Sequence, residues 1–357
     1  MTRIHDTNYR GFASDNYAGV HPEVLAAIAD ANGGHQIAYG EDQYTARLAE
    51  VIAAEFGEHA EVFPVFNGTG ANVTALTALM PRWGSVIASS TAHIHTDEAG
   101  APERVSGLKL LLVDTPNGKL TPELIATEAW GWGDEHRPQP LAVSITQTSE
   151  LGTLYTPAEI RAIADYCHEH GMALHLDGAR IWNAAAALGT SFRAFTTDAG
   201  VDIVSLGGTK NGLIGAEAVV AIDPAKAPGL IYLRKMNMQL ASKMRFTSAQ
   251  LLALFDDGLG IRSASQANSM AARLRAGLEG MLAAGEVPAG SLGFSQQTQA
   301  NAVFALLAND VADRIRERVR FYDWDRARGE VRWMCAFDTT EADIDGFLAI
   351  VREELTR

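Results

Sequence analysis

What the sequence lacks limits the classes of protein to which it can belong. Its formal net charge is -14, so it lacks the clustered positive charge of a nucleic-acid or anionic-membrane surface. Its two cysteines, Cys167 and Cys335, form neither a metal-binding spacing nor a disulfide framework. No apolar run approaches the roughly 20 residues of a membrane-spanning helix, and the N-terminus lacks a signal core. These absences predict a cytoplasmic protein that binds neither nucleic acid nor membranes.

Lysine is also scarce, which matters for any reaction that needs a primary amine. The chain has six lysines, and Lys210 stands in the apolar, glycine-rich stretch "VSLGGTKNGLIGAEAVV". An unpaired ammonium in apolar surroundings is costly, whereas a desolvated lysine is a good nucleophile. Lys210 is therefore either a solvent-facing loop residue or a reactive amine among glycines that let another group approach.

Through the first two thirds of the chain, apolar runs of strand length alternate with helix-like segments. "SVIAS", "LKLLLVD", "LAVSITQ", "MALHLDGAR" and "VDIVSLGG" are typical of strands, and "TPAEIRAIADYCHEHG" of a helix that starts at Thr156 and Pro157. This alternation predicts an α/β fold with a mostly parallel central sheet flanked by helices.

The pattern changes after residue 243, where Ala/Leu-rich helical segments and two strand-like runs, "NAVFALL" and "GEVRWMCAFD", follow. We therefore expect a large α/β domain over residues 15–243 and a small C-terminal α+β domain over residues 244–357. The N-terminal segment 1–14 is expected to pack near the active site.

In open parallel sheets, ligands bind beyond the carboxyl ends of the strands. Gly68 and Thr69 in "FNGTGANVTAL" follow one strand, where helix amides favour a phosphate, although an ordinary capped turn has the same pattern. In "ALHLDGAR", Asp177 follows the apolar run. Its carboxylate either binds a cationic group, pairs with Arg180 or caps the next helix. Lys210 follows the next strand. Together these features meet the needs of pyridoxal 5'-phosphate (PLP), which requires an amine, a carboxylate and a phosphate cradle.

These motifs, in this order, resemble the threonine aldolase family. That family has the aspartate-aminotransferase-like fold, fold type I of the PLP-dependent enzymes, and is related to the β-eliminating lyases. The resemblance covers most of the chain: "SDNYAGVHPEV", "YGEDQYTARLAE", "FNGTGANV", "AHIHTDEAGAPE", "HLDGAR", "SLGGTK" and "VRWMCAF". "AHIHTDEAGAPE" is closest to a low-specificity subgroup that accepts phenylserine-type substrates. The departures from the commoner family pattern, in "SLGGTKNG" and at the asparagine of "NGTG", concern substrate range more than the cofactor.

The resemblance implies cofactor-binding roles for five residues. Lys210 would be the Schiff-base lysine and Asp177 the partner of the pyridinium nitrogen. Gly68 and Thr69 would hold the phosphate. His93 would stack on the ring and take part in proton transfer, although a satisfied core histidine would give the same sequence signal.

It implies roles toward the substrate for five more. Arg180, which also borders the cofactor, and Arg332 would bind the α-carboxylate, because a guanidinium matches it bidentately, with Ser14 assisting. Asp97 would reach the β-hydroxyl or merely start the next helix, and Tyr39 would be donated across a subunit interface. From residue types alone, Ser14 could be a turn residue and Arg332 a solvated arginine on the face of a strand opposite Val331, Trp333, Cys335 and Phe337.

The implied activity is that of a carbon–carbon lyase. It would cleave L-threonine, L-allo-threonine or related β-hydroxy-α-amino acids such as phenylserine to glycine and an aldehyde by a retro-aldol reaction. His93, or a water it positions, would take the hydroxyl proton. The resemblance also implies a homotetramer, a dimer of dimers with active sites at subunit interfaces. The alternatives are another fold-type-I enzyme, a β-eliminating lyase or an aminotransferase, and a catalytically inactive PLP-fold binding protein.

Overall fold

The computed structural model describes residues 4–357, and residues 1–3 of the predicted N-terminal segment lie outside them. The described chain forms two compact units. One is Val20–Arg262, and the other joins residues 4–19 to Ser263–Arg357. The expected boundary after residue 243 therefore differs from the boundary between the units by one helix, Met244–Phe255, which belongs to the larger unit.

The larger unit is built on a seven-stranded sheet with the order β1-β7-β6-β5-β4-β2-β3. Neighbouring strands from β3 to β6 are parallel, whereas β7 is antiparallel to both β6 and β1. The sheet is thus mostly parallel, with one antiparallel strand inserted near its edge. The strands are β1 (Glu61–Val65), β2 (Gly84–Ser89), β3 (Lys109–Val113), β4 (Gln139–Thr146), β5 (Ala173–Gly178), β6 (Ile203–Leu206) and β7 (Glu217–Ala221).

Helices surround this sheet, and α3 packs against β5, β6 and β7. Helix α7 begins as predicted: Thr156 Oγ1 accepts from Glu159 N at 3.2 Å, and the Glu159 carboxylate accepts from Thr156 N at 2.7 Å, which completes a capping box. The helices are α1 (Pro22–Asp30), α2 (Gln43–Phe56), α3 (Gly68–Leu79), α4 (His93–Thr96), α5 (Ala101–Ser106), α6 (Pro122–Ala126), α7 (Pro157–Glu169), α8 (Ile181–Leu188), α9 (Phe192–Phe195), α10 (Leu230–Met236) and α11 (Met244–Phe255).

Helix α12 (Leu259–Ala283) begins in the larger unit and continues into the smaller one. The smaller unit has an antiparallel sheet with the order β10-β11-β9-β8. Its core includes Phe12, which stacks on Phe347 with ring centroids 4.4 Å apart. The remaining elements are β8 (Leu292–Phe294), β9 (Ala302–Leu307), α13 (Asn309–Arg318), β10 (Tyr322–Asp325), β11 (Glu330–Met334) and α14 (Glu341–Thr356).

Strand β11 is shorter than the sequence pattern suggests. Val331 and Trp333 share a buried face of the strand, but the strand ends at Met334, so neither Cys335, which is also buried, nor Phe337 continues that face within it. Among residues 4–357, none of the helices combines the length and the apolar character needed to cross a membrane.

Candidate active site

Lys210 lies just beyond the carboxyl end of β6, in the 3-10 turn Thr209–Asn211. Because β6 and β7 are antiparallel neighbours, the loop between them is a hairpin connection. The loop is fixed from outside: Asn211 Nδ2 donates to Gly260 O, and Ile214 N donates to Gln250 Oε1, each at 2.9 Å. Lys210 is half-buried, so the sequence placed this amine correctly at the end of a strand.

The glycines before Lys210 are required for a different reason from the one that the sequence suggested, which was the approach of another group to the lysine. A β-carbon on Gly207 would lie 2.7 Å from Ala179 O, and one on Gly208 would lie 2.5 Å from Ala216 O. Both distances are far shorter than real Cβ contacts. These glycines therefore allow the chain's own backbone to approach itself, so the approach of a ligand is not needed to explain them.

Asp177 is the penultimate residue of β5, the strand that pairs with β6, and β6 leads into the Lys210 loop. It is 4% exposed, and its two oxygens accept hydrogen bonds from Ala179 N at 3.0 Å and from Asn72 Nδ2 at 2.9 Å. The N-cap of α8 is the half-buried Arg180, so Asp177 does not cap that helix. Each Asp177 oxygen accepts one hydrogen bond from a neutral N–H group, so the buried carboxylate retains lone pairs that can bind a cation.

A chain of hydrogen bonds leads from Asp177 to His93. Asn72 Nδ2 donates to Glu98 Oε1 at 2.8 Å as well as to Asp177, and the same Glu98 oxygen lies 2.9 Å from His93 Nδ1. His93 is the first residue of α4, and its backbone N–H donates to Glu150 Oε1 at 2.9 Å. The imidazole is therefore fixed from its Nδ1 side and from its backbone, which leaves Nε2 directed away from Glu98.

Two groups near this chain have shifted pKa values. The hydrogen bond to Glu98 raises the pKa of His93 above its usual 6.5, and the negative charges of Asp177 and Glu98 act in the same direction, while burial and the Lys210 ammonium oppose them. Burial raises the pKa of Glu150, although its hydrogen bonds to His93 N and Thr146 Oγ1 counteract this. His93 and Lys210 are thus close enough for their charges to interact.

Gly68 and Thr69, the residues expected to hold a phosphate, are the first two residues of α3. Asn67 caps the helix by accepting from Gly70 N at 2.7 Å and, through its carbonyl, from Ala71 N at 3.0 Å, whereas the amides of Gly68 and Thr69 precede the first intrahelical hydrogen bond. A β-carbon on Gly68 would meet no atom within 4 Å, so the chain leaves open space there. Asn72, one turn later, contacts Asp177. An anion cradle, a buried carboxylate and a half-buried amine on adjacent elements fit the phosphate, ring nitrogen and aldehyde of PLP.

The remaining predicted residues of this unit lie at its surface. The Asp97 side chain is 83% exposed, and its Oδ2 lies 3.6 Å from His93 Nε2. Asp97 directly follows α4, so it is not the start of the next helix, α5. Tyr39 has a φ of +63° and is half exposed; its N–H donates to Ser242 O at 3.0 Å, and the Lys235 ammonium lies 4.9 Å from its ring. Tyr39 therefore contacts the segment from Lys235 to Ser242 of the same chain.

Ser14 and Arg332 belong to the smaller unit. Arg332 Nη2 donates to Ala13 O at 3.3 Å, and its guanidinium lies 5.2 Å from the Trp324 ring. Ser14 Oγ accepts from Asn16 N at 3.2 Å and borders a cavity of about 640 Å³ within the same unit. Within the smaller unit, Arg332 therefore lies beside Ala13, the residue that precedes Ser14.

Sequence reasoning missed three polar residues that connect the predicted ones: Asn72, Glu98 and Glu150. Asn72 lies four residues after Gly68, which places it on the same face of the helix, and Glu98 directly follows Asp97. These spacings were available in the sequence. Glu150 had no local signal, because its contact with His93 joins segments 57 residues apart.

A family profile, a related sequence and a solved structure all show similarity to the same group of enzymes. Residues 11–305 match the sequence profile of the Beta-eliminating lyase family. The chain is 45% identical over 344 residues to the low specificity L-threonine aldolase of Pseudomonas aeruginosa, covering 96% of each chain. It superposes on a threonine aldolase of Leishmania major with a TM-score of 0.87 and 29% identity, covering 96% of this chain and 99% of that one.

An aspartate aminotransferase double mutant of Thermus thermophilus has the same fold. Its TM-score is 0.68 at 18% identity, over 95% of this chain and 89% of the other. The predicted fold class, an α/β fold of the aspartate-aminotransferase type with a smaller α+β part, is confirmed.

Proposed function

Because the chain belongs to the beta-eliminating lyase family, whose cofactor is PLP, we propose that it is a low-specificity threonine aldolase. It cleaves L-threonine, L-allo-threonine and related β-hydroxy-α-amino acids such as phenylserine into glycine and an aldehyde. The observation that supports this most strongly is the chain of hydrogen bonds from Asp177 through Asn72 and Glu98 to His93. At one end of this chain, the Asp177 carboxylate is suited to bind a cationic ring nitrogen. At the other end, the His93 imidazole is suited to accept or donate a proton.

Four residues of the larger unit would hold the cofactor. Lys210 would bind its aldehyde carbon, Asp177 would pair with the ring nitrogen, and the amides of Gly68 and Thr69 would receive the phosphate. PLP, when bound, supplies an electron sink for the electron pair that the substrate α-carbon keeps when its bond to the β-carbon breaks.

The substrate requires a carboxylate clamp and a base. Arg180 would bind the α-carboxylate and so orient the Cα–Cβ bond, and the resemblance to the threonine aldolases alone assigns the same substrate group to Arg332 and Ser14. His93 accepts the β-hydroxyl proton at Nε2, because its Nδ1 is engaged by Glu98. Asp97, 3.6 Å from Nε2, stabilises the imidazolium that results. Removal of the hydroxyl proton drives the bond cleavage that releases the aldehyde.

Two measurements test this proposal. Purified protein incubated with PLP should show visible absorbance that borohydride abolishes, with the label on Lys210 and none in Lys210→Ala. Threonine, allo-threonine and phenylserine should each yield glycine and the matching aldehyde in equal amounts. Release of ammonia and a keto acid would instead indicate a β-eliminating lyase, and a protein that binds no PLP would contradict the cofactor assignment.

The active form is further proposed to be a homo-oligomer, with a second copy covering the phosphate cradle. Phe66, Ile214 and Met238 are exposed large apolar side chains of the larger unit. Gln239 Oε1 accepts from Phe66 N at 3.0 Å, and a β-carbon on Gly215, next to Ile214, would lie 3.6 Å from Phe66 O, so the three side chains come from neighbouring segments and are proposed to form one patch. Such a patch favours protein association. Ultracentrifugation should find a tetramer, a dimer of dimers, and Phe66→Glu should dissociate it; a monomer with full activity would contradict the proposal.

The protein is proposed to act in the cytoplasm. Cys167 and Cys335 are both free and buried, and burial raises the pKa of the Cys167 thiol to about 12. Such thiols are unreactive, and a chain without disulfides suits a reducing compartment. Fractionation of the source cells should recover the activity in the cytosolic fraction.

A further inference from the structure

The Lys210 loop contains a buried carboxylate to which neither the fold nor the proposed reaction assigns a role. Glu217 opens β7, seven residues after Lys210, and is 7% exposed. Glutamate is almost never buried to this degree unless it is paired. Its partners are therefore the first indication of what it does.

Glu217 reaches back across the hairpin to the amides that begin the Lys210 turn. Its Oε2 accepts from Gly208 N at 2.7 Å, and its Oε1 accepts from Thr209 N at 3.3 Å. Gly208 is the N-cap of the 3-10 turn and Thr209 its first residue. One carboxylate thus binds both amides that lead into Lys210, in the way that a helix N-terminus binds an anion.

The backbone around this contact cannot shift easily. Gly207 N donates to Gly178 O at 3.1 Å, and Trp182 Nε1 donates to Gly207 O at 2.7 Å. On the other side, Glu217 is in register with Val65 of β1, two residues before the N-cap of α3. The carboxylate therefore joins the lysine turn to the strand that leads to the phosphate cradle.

We propose that Glu217 is the positioning residue of Lys210: its carboxylate clamps the Gly208 and Thr209 amides and so aims the Lys210 amine at the cofactor aldehyde. This rests on the proposed function, since it presumes that Lys210 binds PLP. Glu217 touches neither cofactor nor substrate in this role. It acts only through the backbone of the turn.

Two substitutions at Glu217 distinguish the effect of its hydrogen bonds to the two amides from the effect of its negative charge. Glu217→Gln preserves the size, but its amide NH2 faces an N–H donor and can satisfy only one of the two amides. Glu217→Asp preserves the charge but is one methylene shorter, so it cannot reach the turn. Asp202→Asn is the matched control, because Asp202 is also a buried carboxylate of this unit and lies immediately before β6, at the end of the strand opposite to Lys210.

The readout is the rate at which cofactor-free protein captures PLP, together with the circular dichroism of the bound cofactor's visible band. Both Glu217 variants should capture PLP at least about tenfold more slowly, as expected for a lost charge-assisted hydrogen bond in a buried place, and their visible dichroism should weaken. Asp202→Asn should match the wild type. Wild-type rates in both Glu217 variants, or in Glu217→Asp alone, would overturn the proposal.

A measurement on the unaltered protein covers the case in which the variants do not fold. In cofactor-free wild type, the Gly208 and Thr209 amides should exchange with deuterium at least about tenfold more slowly than unstructured amides. Rapid exchange at both would overturn the clamp. Failure of the wild type to form a borohydride-stable bond at Lys210 would instead refute the proposed function, so the two failures are distinguishable.

Discussion

Asn72 Nδ2 lies 2.9 Å from Asp177 Oδ2 and donates a hydrogen bond to it across the gap between α3 and β5. The same amide nitrogen binds Glu98 at 2.8 Å, so one neutral donor keeps two buried carboxylates apart and oriented. This contact connects the helix that begins with the proposed phosphate cradle to the strand that carries Asp177, the proposed partner of the ring nitrogen.

Removing this amide should impair turnover more than cofactor binding. In Asn72→Ala, the Asp177 and Glu98 carboxylates lose their shared donor, and buried hydrogen bonds to charged groups contribute about 1.5–3 kcal/mol each. We expect kcat to fall at least about tenfold, while the borohydride-trapped label at Lys210 persists. Steady-state kinetics with phenylserine checks this, with the exposed Asn32→Ala as control. Unchanged kcat would mean that the link is only structural.

Glu98 should set the acidic limb of the pH profile. If neutral His93 is the base, activity rises with pH through the pKa of His93, which the Glu98 hydrogen bond raises above 6.5. Glu98→Gln removes this effect, so the limb of kcat/KM should move to lower pH. The pH dependence of aldehyde release measures it, and Glu103→Gln is the control, because Glu103 is a partly exposed carboxylate that pairs with Lys109. A limb that stays in place or moves to higher pH would remove His93 from the role of base.

Gly68 should be needed for the cofactor rather than for the fold. A β-carbon there meets no protein atom within 4 Å, so Gly68→Ala should leave the melting temperature of the cofactor-free protein unchanged or slightly higher, since alanine is the better helix former. The methyl group would occupy the phosphate space, and PLP affinity should fall about tenfold. Gly280→Ala, also in open space within a helix, should not change PLP affinity. Equal affinity in both variants would place the phosphate elsewhere.

His175 should make the protein sensitive to acid. It is fully buried between Ser144 Oγ at 2.9 Å and Ser205 Oγ at 3.0 Å, and burial lowers its pKa to about 4. Between pH 6.5 and 4, the unfolded chain binds a proton that the native chain does not, so the free energy of unfolding decreases as pH falls, by about 3 kcal/mol in total. His175→Gln should flatten this slope in urea titrations from pH 7 to 5. The exposed His59→Gln should retain it.

The sequence predicted the parts of this fold that depend on local pattern. An apolar run ending in Asp177, a cap at Thr156 and an amine after a glycine pair are each visible within about ten residues, and all lie at the predicted places. The position of β7 between β1 and β6 was not predictable in this way, because an apolar run gives neither the direction nor the neighbours of its strand. Glu150 was missed for the same reason, since its contact with His93 joins segments 57 residues apart.

The hairpin between β6 and β7 has a consequence for altering this protein by design. Because side chains alternate along a strand, shifting the pairing of β7 by one residue would turn every side chain of β7 to the opposite face, and β7 is buried along its whole length between two neighbours. A change in the length of the lysine loop that moved β7 would therefore disturb its pairing with both β1 and β6. Libraries aimed at new aldehydes should vary the segment around His93 and Asp97 and leave the spacing of this loop untouched.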